Sequence, residues 1–166
     1  MHFFAYKNSV LHAEDAPLDG LAARHGTPLF VYSHATLDRH IDTIDGAFEG
    51  MPHLTCYSVK ANAGAGILRH LASRGLGADI VSGGELFRAL RAGFPADRIV
   101  YSGVGKTQQE IEYALRSGIL MFNVESESEL RTINTIAGLM NVKAPVSFRI
   151  NPDVDPKTHQ IGRAHV

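Results

Sequence analysis

Residues 77–125 carry a regular alternation of two sequence patterns. Their sequence is GADIVSGGELFRALRAGFPADRIVYSGVGKTQQEIEYALRSGILMFNVE. Short apolar runs bounded by turn residues predict strands: GADIVS, RIVYSG and ILMFNVE. The stretches between them have apolar residues every three or four positions, which predicts helices. The strand patterns repeat about every 21 residues, so we expect parallel strands joined by helical crossovers.

The alternation continues on both sides of this stretch. LTCYSVK (54–60) and APVSFRIN (144–151) predict two more strands, and helical patterns follow the first and precede the second. An open doubly wound sheet and a (β/α)8 barrel both fit parallel strands. The glycine fingerprint of a dinucleotide-binding sheet fails, because Arg69 stands where its third glycine belongs. GVGKT (103–107) lacks the first glycine of a phosphate loop and predicts a helix entrance instead.

Residues 1–33 have a different organisation. HFFAYKNSVLHAED (2–15) predicts two strands joined by a turn at Asn8-Ser9, and PLDGLAARHG (17–26) predicts a short helix ended by glycine. TPLFVYS (27–33) predicts a further strand, after which ATLDRHIDTIDGAFEG (35–50) predicts an amphipathic helix. We therefore expect residues 1–33 to form a segment separate from the alternating part.

Composition limits the classes of function. The 166 residues carry 16 Lys and Arg against 17 Asp and Glu, a net charge of −1, which argues against a nucleic-acid partner. The single cysteine and nine scattered histidines predict no metal site. No apolar run is long enough to span a membrane, and the start resembles no signal peptide. We expect a cytoplasmic enzyme or small-molecule-binding protein.

Lys60 is the only charge in the strand pattern LTCYSVK. Two-residue alternation places it on one face with Cys56 and Ser58. Active sites of parallel barrels lie at the carboxyl ends of the strands, and burial there would lower the pKa of the amine and make it reactive. The alternative is a lysine that extends from a strand end into solvent.

Two other strand patterns also contain charges. Asp79 interrupts GADIVS, and a buried carboxylate needs a partner, for which Lys60 on the neighbouring strand is the candidate. Arg149 interrupts APVSFRIN, on one face with Ser147 and Asn151. Glu85 opens the helix after Asp79, where the helix dipole favours a carboxylate, so capping explains it on its own.

Five segments together resemble the diaminopimelate decarboxylases, pyridoxal-phosphate enzymes of the alanine-racemase-like barrel group. They are YSVKAN, ADIVSGGELFRALRAG, RIVYSGVGKTQQEIEYAL, FNVESESEL and FRINPDVDPKTH. The resemblance implies that Lys60 holds the pyridoxal 5'-phosphate cofactor covalently and is the catalytic residue. It also implies that Asp79, Glu85 and Arg149 belong to the network around that lysine and the cofactor.

The resemblance further implies an α/β fold: about the first five units of an incomplete (β/α)8 TIM barrel, preceded by a hairpin that packs on a C-terminal β-domain. Residues 1–33 are then the strand segment of that β-domain, and residues 34–159 are part of the pyridoxal-phosphate-binding barrel. We expect residues 160–166 to be a non-native read-through tail, because the last six correspond to a common sequencing-library adapter.

The resemblance implies decarboxylation of meso-2,6-diaminopimelate to L-lysine and CO2. It also implies that the full-length enzyme is a homodimer. We expect this chain to be inactive on its own. Two alternatives stay open. In the first, the chain is a short protein that binds pyridoxal phosphate without catalysis. In the second, the full-length protein to which the chain belongs decarboxylates another basic amino acid, such as arginine, ornithine or carboxynorspermidine.

Overall fold

The computed structural model describes residues 2–150, and the chain divides into two compact units, residues 1–55 and 56–166. In the N-terminal unit, β1 (Phe4–Lys7), β2 (Val10–Ala13) and β3 (Ala16–Pro17) form a three-stranded antiparallel sheet. Asn8 and Ser9 both have positive φ, 50° and 65°, as a two-residue hairpin turn requires. The predicted hairpin is confirmed.

Two helices complete the N-terminal unit: α1 (Leu18–His25), followed by Gly26, and α2 (His34–Ala47). Ser33 caps α2 by accepting a hydrogen bond from the amide of Thr36. The strand predicted at TPLFVYS is wrong, because the structure assigns no strand to residues 27–33. An apolar run becomes a strand only where a neighbouring backbone completes its hydrogen bonds, and no ladder among the described residues includes this segment.

The second unit is a five-stranded parallel sheet with helices between its strands. Its strands are β4 (Cys56–Ser58), β5 (Gly77–Ile80), β6 (Ile99–Tyr101), β7 (Met121–Val124) and β8 (Val146–Phe148). Its helices are α3 (Ala65–Ser73), α4 (Gly83–Ala92), α5 (Gln108–Ser117) and α6 (Glu127–Met140). The predicted parallel α/β sheet is confirmed.

The strand order β4-β5-β6-β7-β8 follows the chain, as in a barrel, whereas a doubly wound sheet reverses direction at a switch point. Crossovers of one hand between consecutive strands place every helix on the same face of the sheet. The described residues thus contain four strand–helix pairs and a fifth strand. Asn151 and the expected tail at residues 160–166 lie outside the described residues.

The two faces of this sheet differ in polarity. Alternate residues of the strands pack against the helices and are at most 3% exposed: Ala78, Ile80, Ile99, Tyr101, Phe122 and Val124. The opposite face carries polar, partly exposed residues near the strand ends: Ser58, Asp79, Ser102, Asn123 and Ser147. The core therefore lies between the sheet and the helices, and the opposite face carries the polar groups near the strand ends.

Serine and threonine fix the starts of the helices that follow β5, β6 and β7. Ser82, Thr107 and Ser126 each accept a hydrogen bond from the amide three residues later. Thr107 forms a full capping box with Glu110, which confirms the prediction that GVGKT leads into a helix. Because the strands are parallel, these capped helix starts and the loops before them all lie at the carboxyl edge of the sheet.

Candidate functional site

Polar side chains from four neighbouring strands meet at the carboxyl ends of the strands. Asp79 accepts hydrogen bonds from Ser58 Oγ at 3.1 Å and from Ser102 Oγ at 2.5 Å. Asn123 Nδ2 donates to Ser102 Oγ at 2.9 Å. Ser58 and Asp79 are direct partners in the parallel register, which is why their side chains lie on one face. The result is a continuous hydrogen-bonded chain from β4 to β7.

Lys60 does not occupy the buried strand position that alternation predicts. The strand β4 ends at Ser58, and Val59–Ala61 form a 3₁₀ turn in which Val59 is fully buried and Lys60 is exposed. Once the backbone turns, the two-residue period no longer sets the direction of a side chain. Lys60 nevertheless lies two residues beyond β4, at the edge of the sheet where Ser58 and Asp79 lie.

The predicted ion pair between Lys60 and Asp79 is also wrong: within residues 2–150 the two form none. The two hydroxyl donors already satisfy both oxygens of the Asp79 carboxylate. A partly buried carboxylate can be stabilised by such neutral donors in place of a cation. Hydrogen-bond capacity of the neighbouring serines, not the nearest opposite charge, decides the partners of Asp79.

Glu85 is in the first turn of α4 and caps it. Its amide donates to Ser82 Oγ at 3.2 Å, and its Oε2 accepts from the amide of Val81 at 2.8 Å. Both bonds tie the end of the β5 loop to the start of the helix. The structure therefore supports the capping explanation that the sequence offers for this residue.

Arg149 lies one residue beyond β8, not within a strand as predicted. Its amide donates to Val124 O, and its guanidinium pairs with Glu125 at 2.9 Å, with the Arg149 side chain 41% exposed. Of APVSFRIN, the structure assigns only Val146–Phe148 to the strand, which therefore ends one residue before the arginine. Arg149 therefore contacts the loop after β7, and Asp79 is held separately.

A second polar cluster, which the sequence patterns did not indicate, is formed by Lys106, Glu125 and Glu129. The Lys106 side chain is fully buried and its Nζ lies 2.5 Å from Glu129 Oε1. A signal for it exists in the sequence: each of these charges is the last residue of a predicted strand or lies shortly after one, where loops of a parallel sheet converge. GVGKT lacks the first glycine of a phosphate loop, so this motif assigns Lys106 no phosphate-binding role.

Other chemistries find less support in the described residues. Burial raises the pKa of the Cys56 thiol, and the nearby Asp79 carboxylate adds to this, so Cys56 is a poor nucleophile. Between residues 2 and 150, no group of three His, Cys, Asp or Glu side chains could hold a metal ion. None of the helices in that range has the length and apolar character to cross a membrane.

Comparisons with known proteins agree with this geometry. Residues 34–165 match the family model "Pyridoxal-dependent decarboxylase, pyridoxal binding domain". A curated diaminopimelate decarboxylase from Haemophilus influenzae is 54% identical over 159 residues, 96% of this chain and 38% of that protein. The chain thus spans well under half the length of this relative.

Solved structures show the same likeness. Diaminopimelate decarboxylase from M. jannaschii in co-complex with L-lysine is 39% identical with a TM-score of 0.84, over 94% of this chain and 37% of that one. The Helicobacter pylori enzyme complexed with L-lysine is 47% identical with a TM-score of 0.83, over 86% and 36%. The parallel sheet therefore matches the N-terminal barrel region of these enzymes. By its sequence match and its fold, this chain belongs to the pyridoxal-dependent decarboxylase family and carries that family's pyridoxal-binding domain.

Proposed function

We propose that this chain forms part of a pyridoxal-phosphate-dependent diaminopimelate decarboxylase, which converts meso-2,6-diaminopimelate to L-lysine and CO2. Lys60 is the residue that holds the cofactor. The observation that carries the proposal is the position of Lys60: an exposed amine just beyond β4, at the edge where the polar side chains of four strands converge. The 54% identity to a diaminopimelate decarboxylase supports the substrate.

The donor set at this edge fits pyridoxal phosphate. The aldehyde of the cofactor needs a lysine amine within reach, and within residues 2–150 no ion pair or hydrogen bond holds the Lys60 side chain. The fixed polar groups of Asp79, Ser102 and Asn123 supply an environment for a charged, hydrogen-bonding ring. Lys60 would therefore hold the cofactor, with Asp79 and Arg149 in the network around it.

The residues of this chain have separate tasks in the proposed reaction. Bound pyridoxal phosphate supplies a ring that accepts the electron pair released as CO2 leaves the substrate. Lys60 Nζ binds the cofactor between turnovers and, when released from it, can carry a proton. Ser58 and Ser102 hold the Asp79 carboxylate in one orientation, and Glu85 fixes the β5 loop beside it. Arg149 adds a positive charge anchored by Glu125.

The architecture of the active protein is part of the proposal. The five described strands leave β4 and β8 as sheet edges, and a parallel barrel closes with eight strands. We propose that residues 34–159 belong to such a barrel and that further strands complete it and the cofactor site. Residues 1–33 belong to the β-domain segment, the active protein is a homodimer, and the 166-residue chain has no turnover on its own.

Reduction with borohydride tests the role of Lys60. The 166-residue chain and a protein extended to the length of the relatives are each incubated with pyridoxal phosphate, reduced, and mapped by mass spectrometry. We expect a pyridoxyl adduct on Lys60 and lysine production from diaminopimelate in the extended protein. Lys60→Ala should abolish both, and Lys143→Ala, another exposed lysine, should leave both unchanged.

Each result decides between the alternatives. An adduct on Lys60 without decarboxylation of diaminopimelate or any other basic amino acid would indicate a non-catalytic binding protein. Turnover of arginine or ornithine in place of diaminopimelate would correct the substrate. An adduct elsewhere, with Lys60→Ala still active, would refute the site.

A further inference from the structure

Lys106 is a buried ammonium group for which the proposed reaction has no use. It lies in the loop between β6 and α5, and its side chain is 0% exposed. Its Nζ donates to Gly103 O at 2.6 Å, to Asn123 O at 3.0 Å and to Glu129 Oε1 at 2.5 Å. All three donors of the ammonium are therefore satisfied, and one carboxylate balances its charge.

One hydrogen-bonded path leads from Lys106 to Asp79. Lys106 holds the backbone of Asn123 at the end of β7, and Asn123 Nδ2 donates to Ser102 Oγ. Ser102 Oγ in turn donates to Asp79 at 2.5 Å. A shift of the β7 end would move Asn123, and with it one of the two hydroxyl donors to Asp79.

A second path leads from Lys106 to Arg149. Glu129, the partner of Lys106, also accepts from the amide of Glu125 through its Oε2 at 2.9 Å. Glu125 Oε1 accepts from the amide of Gly103 at 3.0 Å and pairs with Arg149 at 2.9 Å. The loops after β6, β7 and β8 are thus joined around one buried cation.

We propose that Lys106 is a positioning residue that sets Asp79 and Arg149 in place for the cofactor. This rests on the proposed function, since it concerns the same edge of the sheet. Lys106 touches neither residue. It acts by holding the loops that carry their partners, in the way that outer hydrogen-bond partners orient the ligands of a metal site.

The proposal is tested with two variants. Lys106→Met removes the ammonium at similar length but leaves Glu129 without its cation, so we expect a loss of stability. The double variant Lys106→Met with Glu129→Gln removes both charges and should restore much of that stability. A purely structural role predicts that pyridoxal phosphate affinity recovers with stability. Positioning predicts that the double variant still binds the cofactor about tenfold more weakly, with altered visible circular dichroism.

Amide hydrogen exchange in the cofactor-free chain gives a separate measurement. Gly103 and Glu125 amides are bonded to side chains of this cluster, so Lys106→Met should speed their exchange about tenfold. The amide of Val81 is the matched control, because Glu85 holds it in the same way outside the cluster. Arg131→Met, which removes an exposed ion pair with Glu127 on α6, should change neither exchange nor binding.

The outcomes separate the two proposals. Exchange at Gly103 and Glu125 that stays at the wild-type rate, or cofactor affinity that recovers fully in the double variant, would overturn the positioning role. A wild-type extended protein that takes up no pyridoxal phosphate would refute the proposed function, whereas faster exchange in Lys106→Met would still support the structural part of the positioning role.

Discussion

Asp79 is the point at which three neighbouring strands are joined through side chains. Its two oxygens accept from Ser58 on β4 and from Ser102 just beyond β6. These two hydrogen bonds hold the Asp79 carboxylate in one orientation, so this side chain is already positioned before any cofactor binds at this edge of the sheet.

Asp79→Asn should therefore destabilise the second unit. An amide nitrogen cannot accept a hydroxyl proton, so one serine donor loses its partner, and we expect the free energy of unfolding to fall by about 1–3 kcal/mol. Urea unfolding monitored by circular dichroism measures this. Asp97→Asn is the control, because Asp97 is exposed in the turn before β6, and its change should stay below about 0.5 kcal/mol. Equal effects would show that the serine bonds contribute nothing specific.

Helix α5 is connected to its neighbour α4 by one carboxylate. Glu110 Oε1 accepts from the amide of Gly83 at 2.7 Å, and Oε2 accepts from Thr107 N and Thr107 Oγ1. Burial would raise the pKa of Glu110, but these hydrogen bonds outweigh it and leave the pKa below its usual value of 4.5. Glu110 thus stabilises both helix starts more strongly when it is ionised than when it is protonated.

A lowered folded-state pKa fixes the direction of the pH dependence. The stabilisation by Glu110 is fully present above the unfolded-state value of about 4.5, and it is lost as the pH falls through the lower folded-state pKa. Glu110→Gln should therefore show a smaller loss of thermal stability than wild type between about pH 5 and pH 3. Glu112→Gln, on the same helix but in an exposed pair with Arg116, should keep the wild-type profile. A profile of Glu110→Gln that coincides with wild type would contradict this.

Within residues 2–150, the five-stranded parallel sheet has an exposed edge strand. Strand β8 ends the order of the sheet, and its Phe148 is 65% exposed. An exposed apolar edge strand pairs readily with another chain, and lysine on such an edge prevents this. We therefore expect the 166-residue chain to self-associate.

Phe148→Lys should raise the monomer fraction of the 166-residue chain in size-exclusion chromatography with light scattering. Leu139→Lys replaces a residue that is 84% exposed on α6, outside the strands of the sheet, and should help much less. If both substitutions act equally, general surface hydrophobicity and not edge pairing drives association. A wild-type chain that is monomeric at high concentration would show that β8 is not an open edge in solution.

The alternating pattern of residues 54–151 was sufficient to predict the parallel sheet and its helices, and GVGKT predicted the start of α5, because these depend on local periodicity and on nearby side chains. The hairpin at Asn8-Ser9 was predictable for the same reason. The strand at residues 27–33 was not, since a strand also needs a partner that is distant in sequence.

The candidate site also has features that the sequence predicted and features that it did not. Lys60, Asp79, Glu85 and Arg149 could be picked out as charges at strand ends or at a helix start, and resemblance to a family gave them a cofactor. Their partners could not be predicted: two serines hold Asp79, Glu125 holds Arg149, and Lys60 stands exposed after a turn. The sequence patterns predicted no role for Lys106. Periodicity fixes which residues reach the edge of the sheet, but hydrogen-bond partners depend on the register between strands and on where each backbone turns, and only three-dimensional packing sets these.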